Sequence, residues 1–296
     1  MKQVLLPLMR IGIFAFAYLH VTSEIANAQV TADDTVNTQV TQTDNVSEIT
    51  GGETRGDNLF HSFQEFSVGA GETASFLNSN DIANIFSRVT GGDISNIDGL
   101  IQASGSANLF LINPAGISFG EGASLNIGGS FYGSSASSIL FEDGEFSATN
   151  PENPPVLTIN APIGLGFRDN PQDIVNQSVA LDSNGQFISG LQVPEGKNLA
   201  LIGGDVRFDG GFIFAPGGRV ELGGLSAAGT ISFNNDGSFS FPEDVARSDI
   251  SFAQEAFVDV AGTRGGDIKL TAGDIQIAES TLLQGGTFAD TGLADS

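Results

Sequence analysis

Apolar and polar residues alternate in short runs along most of this chain. Val206 and Phe208 flank Arg207, Val220 and Leu222 flank Glu221, Ile268 and Leu270 flank Lys269, and Ile275 and Ile277 flank Gln276. Period-two alternation predicts strands with one face buried and the other in water. The run Leu109-Phe110-Leu111-Ile112 is apolar throughout and predicts a strand covered on both faces, as parallel sheets require. Between the runs stand glycine pairs and a looser unit, Gly-Asp-(Ile or Val), at residues 92–94, 204–206, 266–268 and 273–275. Glycine there predicts a corner, aspartate a bond to its own backbone, and the β-branched residue the start of the next strand. Helical periodicity is nearly absent; the one short helix it permits lies at Asp244–Ser248.

Many short strands between glycine corners fit a sandwich, a propeller or a parallel β-helix. Three features select the β-helix: the doubly apolar runs, the stacked phenylalanine and asparagine ladders that such runs imply, and the unclosed repetition of "GGDIKL" and "AGDIQI" over 265–277. At a solenoid repeat of about 20–25 residues, roughly ten coils are expected. Residues 29–50 are rich in Thr and Val, with Val36, Val40 and Val46 as thin apolar punctuation, and predict a cap over the exposed first strands. The proline-rich stretch 148–162 predicts an excursion from the helix, not a domain boundary, because the strand pattern resumes at once.

The first residues read differently. Lys2 and Arg10 precede the apolar run Ile11–Leu19, and Ala26-Asn27-Ala28 offers small residues at a cleavage site. Residues 1–28 are thus expected to be a secretory signal peptide, and no later segment approaches the ~18 apolar residues of a membrane span. An exported chain usually leans on disulfides when its core is small, yet this one has no cysteine among 296 residues. Its length supplies a sufficient core without them, and a chain without disulfides is free to cross a narrow pore unfolded. Eleven basic residues against 35 acidic ones give a net charge of −24, which excludes nucleic acid as a partner. The acids are scattered, as in a solubilising coat.

The residues for chemistry are sparse. His20 falls in the leader, and His61, within "NLFHSFQEF", is flanked by Phe60, Phe63 and Phe66 as a packed core side chain would be. One histidine and no cysteine leave no zinc or Cys-His site, and neither a calcium solenoid motif, an EF-hand nor a phosphate-binding loop occurs. The adjacent acids Asp33-Asp34, Glu142-Asp143 and Glu243-Asp244 sit in turn-like contexts and read as solvated. No metal and no cofactor are expected. One short motif stands out: Asn113-Pro114-Ala115-Gly116 places asparagine, proline and glycine where a type I turn wants them, and Ala115 at the third position argues against type II.

Three stretches resemble a known family: "NLFHSFQEFSVGAGETASF" (58–76), "NIFSRVTGGDISNIDGLIQASGSANLFLINPAGISFGEGASLNIGGSFYGSSASSI" (84–139) and "NLALIGGDVRFDGGFIFAPGGRVELGGL" (198–225). They are similar to the N-terminal domain of filamentous haemagglutinin, the two-partner secretion domain of Gram-negative exoproteins, and closest in wording to its cyanobacterial members. The resemblance implies a right-handed, single-stranded parallel β-helix with an N-terminal β cap and extra-helical β elements. It divides the chain into the signal peptide at 1–28, the secretion domain at 29–270, and the start of a truncated, repeat-like β-solenoid extension at 271–296. It further implies an adhesin-like exoprotein that crosses the periplasm of a Gram-negative-type bacterium and reaches the cell surface. An outer-membrane transporter with POTRA domains would read the chain, and β-helix folding would start at the surface. The family's Asn-Pro-x-Gly motif, required for secretion, maps onto Asn113, Pro114, Ala115 and Gly116; a second upstream motif, Asn-Pro-Asn-Leu, has no counterpart. The expected product is a monomer without enzymatic activity, whose remaining partner is a receptor on a host or neighbouring cell. The alternatives are a β-helix polysaccharide hydrolase or lyase, which two carboxylates converging on a groove beside a basic residue would favour, and a purely structural surface protein.

Overall fold

The computed structural model describes residues 29–151, 157–181, 185 and 189–287; the expected signal peptide lies outside the described residues. Within them the chain is all strand and turn and winds as a three-faced parallel β-helix. Each coil lays one strand on a spine sheet, turns a corner to a second sheet, turns again to a third, and returns. The spine carries seven parallel strands, Asn58–Phe66, Asn84–Val89, Asn108–Ile112, Phe131–Ser134, Leu199–Gly203, Arg219–Gly224 and Asp267–Thr271. The second sheet stacks Ser95–Ile97, Ile117–Phe119, Ile174–Asn176, Val206–Asp209, Ile250–Ala253 and Ile275–Ile277. The third face is split: Thr73–Phe76, Leu100–Ala103 and Ser124–Asn126 form one block, and Leu191–Gln192, Phe212–Phe214, Phe257–Asp259 and Leu282–Gln284 another.

Seven rungs stand where roughly ten were expected from length alone. The missing residues lie in the cap and in two departures from the coil, one after Ser134 and one after Gly224. These departures supply Ser138–Phe141, Gly144–Ser147, Gly164–Phe167, Gly229–Phe233 and Phe239–Ser240, an antiparallel sheet outside the helix. This cover sheet lies on the outer face of the spine. The stretch 148–162 belongs to the first departure, as its prolines predicted; residues 152–156 of it lie outside the described ones.

The doubly apolar run now has its reason. Leu109 and Leu111 point into the helix lumen, while Phe110 and Ile112 point outward beneath the cover, and all four are buried. The same column repeats in each coil, so Phe60, Phe86, Phe110 and Tyr132 stack in a row, with successive ring centroids 5.2, 4.9 and 4.4 Å apart. Burying each such side chain stabilises by about 1.5–3 kcal/mol. Glu221, which alternation placed on a wet face, is buried because it continues this column under the cover.

Polar columns run alongside. Asn84 Nδ2 donates to Asn58 Oδ1, and Asn108 Nδ2 to Asn84 Oδ1, each at 3.0 Å. Asn108 Oδ1 then accepts the Ser130 backbone N–H, and Asn198 Oδ1 that of Arg219. At the corner into the second sheet the Gly-Asp unit works between coils instead of within one. Asp173, Asp205 and Asp249 each accept, through Oδ1, the backbone N–H of the next aspartate in the column, Asp205, Asp249 and Asp274. Of the four recurring units, Asp205 and Asp274 join this column, Asp93 turns the same corner one register position earlier, and Asp267 opens a spine strand, which is why the repeat looks irregular. The expected helix at Asp244–Ser248 is a turn and bend, with Arg247 bridged to Leu225: Arg247 Nη1 binds the carbonyls of Pro242 and Val245 instead of leaving them to a helical ladder.

Residues 29–51 cap the first coil as expected. Val30–Ala32 runs antiparallel to the first spine strand, and the hairpin Thr38–Thr43/Val46–Gly51 closes the third face. The cap is fastened by Arg88, a spine residue with no exposed surface. Its Nε donates to Ser62 Oγ at 2.7 Å, Nη2 to Thr35 Oγ1 at 2.7 Å, and Nη1 to the Ser147 carbonyl of the cover, with the guanidinium 4.4 Å from the Phe146 ring centroid. Asp33 completes the network, accepting hydroxyl bonds from Ser62, Thr90 and Thr35. Burial alone would raise the Asp33 carboxyl, but these hydrogen bonds hold it below the ordinary carboxylate value. Burial also draws the Arg88 guanidinium down to about 10 against the pull of Asp33. Arg88→Met should therefore destabilise the domain by at least about 3 kcal/mol, since each of the three bonds from this buried, charged donor is worth ~1.5–3 kcal/mol. Urea unfolding followed by circular dichroism measures this; a midpoint within error of wild type would contradict the network's role.

Candidate functional site

Asn113-Pro114-Ala115-Gly116 forms the corner between the third spine strand and the second sheet, the last short corner of this kind before the chain leaves the coil to build the cover. The spine ends there because proline has no N–H to continue the ladder. The Gly116 N–H donates to the Asn113 carbonyl at 2.9 Å, and Ala115 keeps a negative φ, so the turn is type I as its residues predict. Asn113 Oδ1 accepts the Ala115 N–H at 2.9 Å, the short-range bond that favours asparagine at this position. Gly116 has φ +103°, and a Cβ there would lie 2.8 Å from the Asp173 carbonyl of the next coil. Both conformation and space demand glycine.

The turn is also tied to the coils on either side. Asn113 Nδ2 donates to the Asp93 carbonyl and to Ser95 Oγ, both at 2.9 Å and both in the preceding coil. The Asn113 backbone N–H reaches Ser134 in the next coil, Gly116 accepts from Ser95, and the Ile117 N–H donates to Asp173. Asn113 is 1 % exposed, Gly116 is buried, and Pro114 and Ala115 are half-buried. In the folded domain this corner presents only the pyrrolidine ring and one methyl group. It holds no reactive group; its chemistry is that of a saturated hydrogen-bond junction between three coils.

His61 lies inside the lumen under the cap, 1 % exposed, against Phe63 and Phe76, with Nδ1 3.2 Å from Thr38 Oγ1. Burial lowers its pKa to about 4. Of the three acidic pairs, Glu142-Asp143 and Glu243-Asp244 are turn residues, whereas Asp33 serves the cap network that local sequence did not reveal. The partners of Arg88 and Asp33 lie up to 59 residues away, beyond any spacing motif. A cleft of about 430 Å³ opens where the third face is split, between Ser124–Asn126 and Leu191–Gln192. Leu100, Leu125, Asn126 and Gln192 are among its lining residues, and among the described residues no acid or base lines it. Among the described residues no group of three or more His, Cys, Asp or Glu is placed to hold a metal, and no helix is long and apolar enough to cross a membrane.

A capped parallel β-helix with a bolted-on antiparallel sheet and a saturated corner defines a β-solenoid scaffold. The chain belongs to the TPS secretion domain family, whose model matches residues 28–270, and it is thus the secretion domain of a two-partner secretion exoprotein. Among solved structures it is similar to the HMW1 secretion domain from Haemophilus influenzae, at 19 % identity and a TM-score of 0.50, covering 88 % of this chain. The match spans 64 % of that domain's length. It is also similar to the filamentous hemagglutinin secretion domain, at 12 % identity and a TM-score of 0.42, covering 86 % of this chain and 99 % of that one. No curated protein matches. The family is one of secretion domains, not of enzymes, and its members belong to exoproteins secreted across the outer membrane of Gram-negative bacteria.

Two outcomes follow from the geometry. Asn113→Ala leaves the Asp93 carbonyl and Ser95 hydroxyl without their donor and should cost about 1–3 kcal/mol in urea unfolding; a cost near zero would mean that the corner is not a junction. For His61 the native pKa lies below the unfolded value of about 6.5, so the native state binds fewer protons between the two. Its contribution is therefore intact above about pH 6.5 and is lost as pH falls toward 4, by about 3 kcal/mol in full. His61→Gln should flatten that slope relative to wild type, and an unchanged difference between pH 7 and pH 4 would contradict the assignment.

Proposed function

We propose that residues 29–270 address this exoprotein to an outer-membrane transporter whose periplasmic POTRA domains read the chain before it folds, and that the same residues then start β-helix folding at the cell surface. The observation that carries this reading is the saturation of Asn113. A side chain whose donors are spent on Asp93 and Ser95 is available to a partner only while the neighbouring coils are open. Asn113, Pro114, Ala115 and Gly116 are then a recognition element in the extended chain and a corner in the folded one. The stiffness of proline supports the second role, since it lowers the entropy lost when the turn forms. Extended segments of the chain would pair with an exposed POTRA sheet edge, where main-chain hydrogen bonds give affinity and pockets for side chains give specificity.

Around this core, residues 1–28 are the signal peptide for export to the periplasm, and residues 271–296 begin a repeat-like extension. Ile275, Ile277 and Leu282, in the last described coil, are about half exposed. Energy for outward movement would come from burial of apolar surface as each coil lands on the one before it. The domain acts as a monomer; any adhesion to a host or neighbouring cell resides in the exoprotein as a whole. No cofactor enters this reading.

The test is secretion itself. Co-expressed with its transporter, the chain with Asn113→Ala or Pro114→Ala should appear outside the cell at about one-tenth of the wild-type amount, the effect of ~1.4 kcal/mol in recognition or nucleation. Asn84→Ala, which breaks a ladder of equal standing away from the corner, serves as the stability control and should be secreted better than either. Unchanged secretion of both corner variants would sink the proposal.

A further inference from the structure

The outward column of the spine does not end in aromatic residues. Beyond Phe60, Phe86, Phe110 and Tyr132 it continues, in register, with Ala200, Glu221 and Lys269. Over this end lies the hairpin Gly229–Phe233/Phe239–Ser240, the last part of the cover sheet. Phe233 packs 5.9 Å from the Phe110 ring and 5.3 Å from Tyr132, and Phe239 packs 6.1 Å from Tyr132, so this hairpin shields the far end of the aromatic row.

Its first strand is laddered onto Gly164–Phe167 of the cover, and three polar contacts fix its second strand to the spine. Glu221 is 2 % exposed, and its Oε2 accepts the Phe239 backbone N–H at 3.0 Å. Its Oε1 accepts from Lys269 Nζ at 2.6 Å, and the same Nζ donates to the Phe239 carbonyl. The carboxylate, the ammonium and the hairpin backbone thus close a single ring of contacts. Arg219, the other cation nearby, is engaged at the edge with the exposed carboxylates of Asp236 in the hairpin turn and Asp267, at 3.5 and 3.6 Å.

The order along the chain gives this ring a direction. Glu221 arrives with the sixth spine strand and the hairpin follows it, but the ammonium comes only with the seventh strand, 48 residues after Glu221. Before that strand is laid, closing the hairpin would bury a carboxylate without a countercharge, which is strongly unfavourable. We propose that the hairpin 229–240 is a strap locked by Lys269: it stays open, exposing Phe110 and Tyr132, until the seventh spine strand delivers the ammonium, and then it seals the cover. The strap is an assembly-order device built from the fold, and it stands whether or not the corner is read by a transporter.

The chain carries its own reporter. It has no tryptophan and two tyrosines, Tyr18 in the expected leader and Tyr132 beneath the strap. In protein expressed from Gln29, Tyr132 is the sole emitter, and acrylamide quenching reads its exposure directly. Lys269→Met should raise the quenching constant on the order of threefold through local opening and increase deuterium uptake over 229–241, with 84–112 still protected. The double variant Glu221→Gln/Lys269→Met should return toward wild type, because a neutral amide needs no ammonium yet still accepts from Phe239. Lys269→Arg should stay closed. Quenching of Lys269→Met equal to wild type would overturn the proposal. So would a double variant as open as Lys269→Met, or loss of protection over 84–112 together with the strap.

Discussion

Each coil of this domain completes the hydrogen bonding of the coil beneath it, and the rest of the architecture follows from that dependence. A parallel rung offers one row of backbone groups upward and one downward, and here the side chains at the corners obey the same rule. Asparagine bonds asparagine from coil to coil, and aspartate accepts the N–H of the next aspartate. Asn113 spends its amide on the coil before it. No rung is satisfied alone, so the first needs a cap. The fastening of that cap by Arg88 and Asp33 is correspondingly dense.

The second constraint is that a parallel spine must be covered on both faces. The lumen covers one, and an antiparallel sheet assembled from two departures covers the other. Because those departures leave the coil at the same kind of corner, two coils apart in the spine, the cover is completed late. Its aromatic underside is closed beside the buried Glu221 carboxylate and its half-exposed partner Lys269.

Much of this was legible in local patterning. Alternation around Arg207 and the apolar run at Leu109–Ile112 identified half-covered and doubly covered strands, and the type I corner followed from asparagine, proline and glycine alone. What was hidden depends on distance along the chain. The number of coils was overestimated because dividing length by a repeat counts the residues of the cap and the cover as coils. Glu221 read as solvated because nothing near it in sequence announces the sheet above. Arg88 drew no notice because Thr35 and Ser147, which it joins, lie on opposite sides of it at 53 and 59 residues. The corner's burial was equally invisible, since Asp93 and Ser95 reach Asn113 only through the winding of the helix.

For function, the saturation of Asn113 links the two halves of the account: a motif spent within the fold is free to be read only before folding. The most direct measurement is binding of the transporter's isolated periplasmic domains to this chain at successive times after dilution from denaturant. Binding should be strongest at the earliest times and disappear as the amide of Gly116 becomes protected from exchange. A native domain that binds as tightly as the unfolded chain would contradict the account.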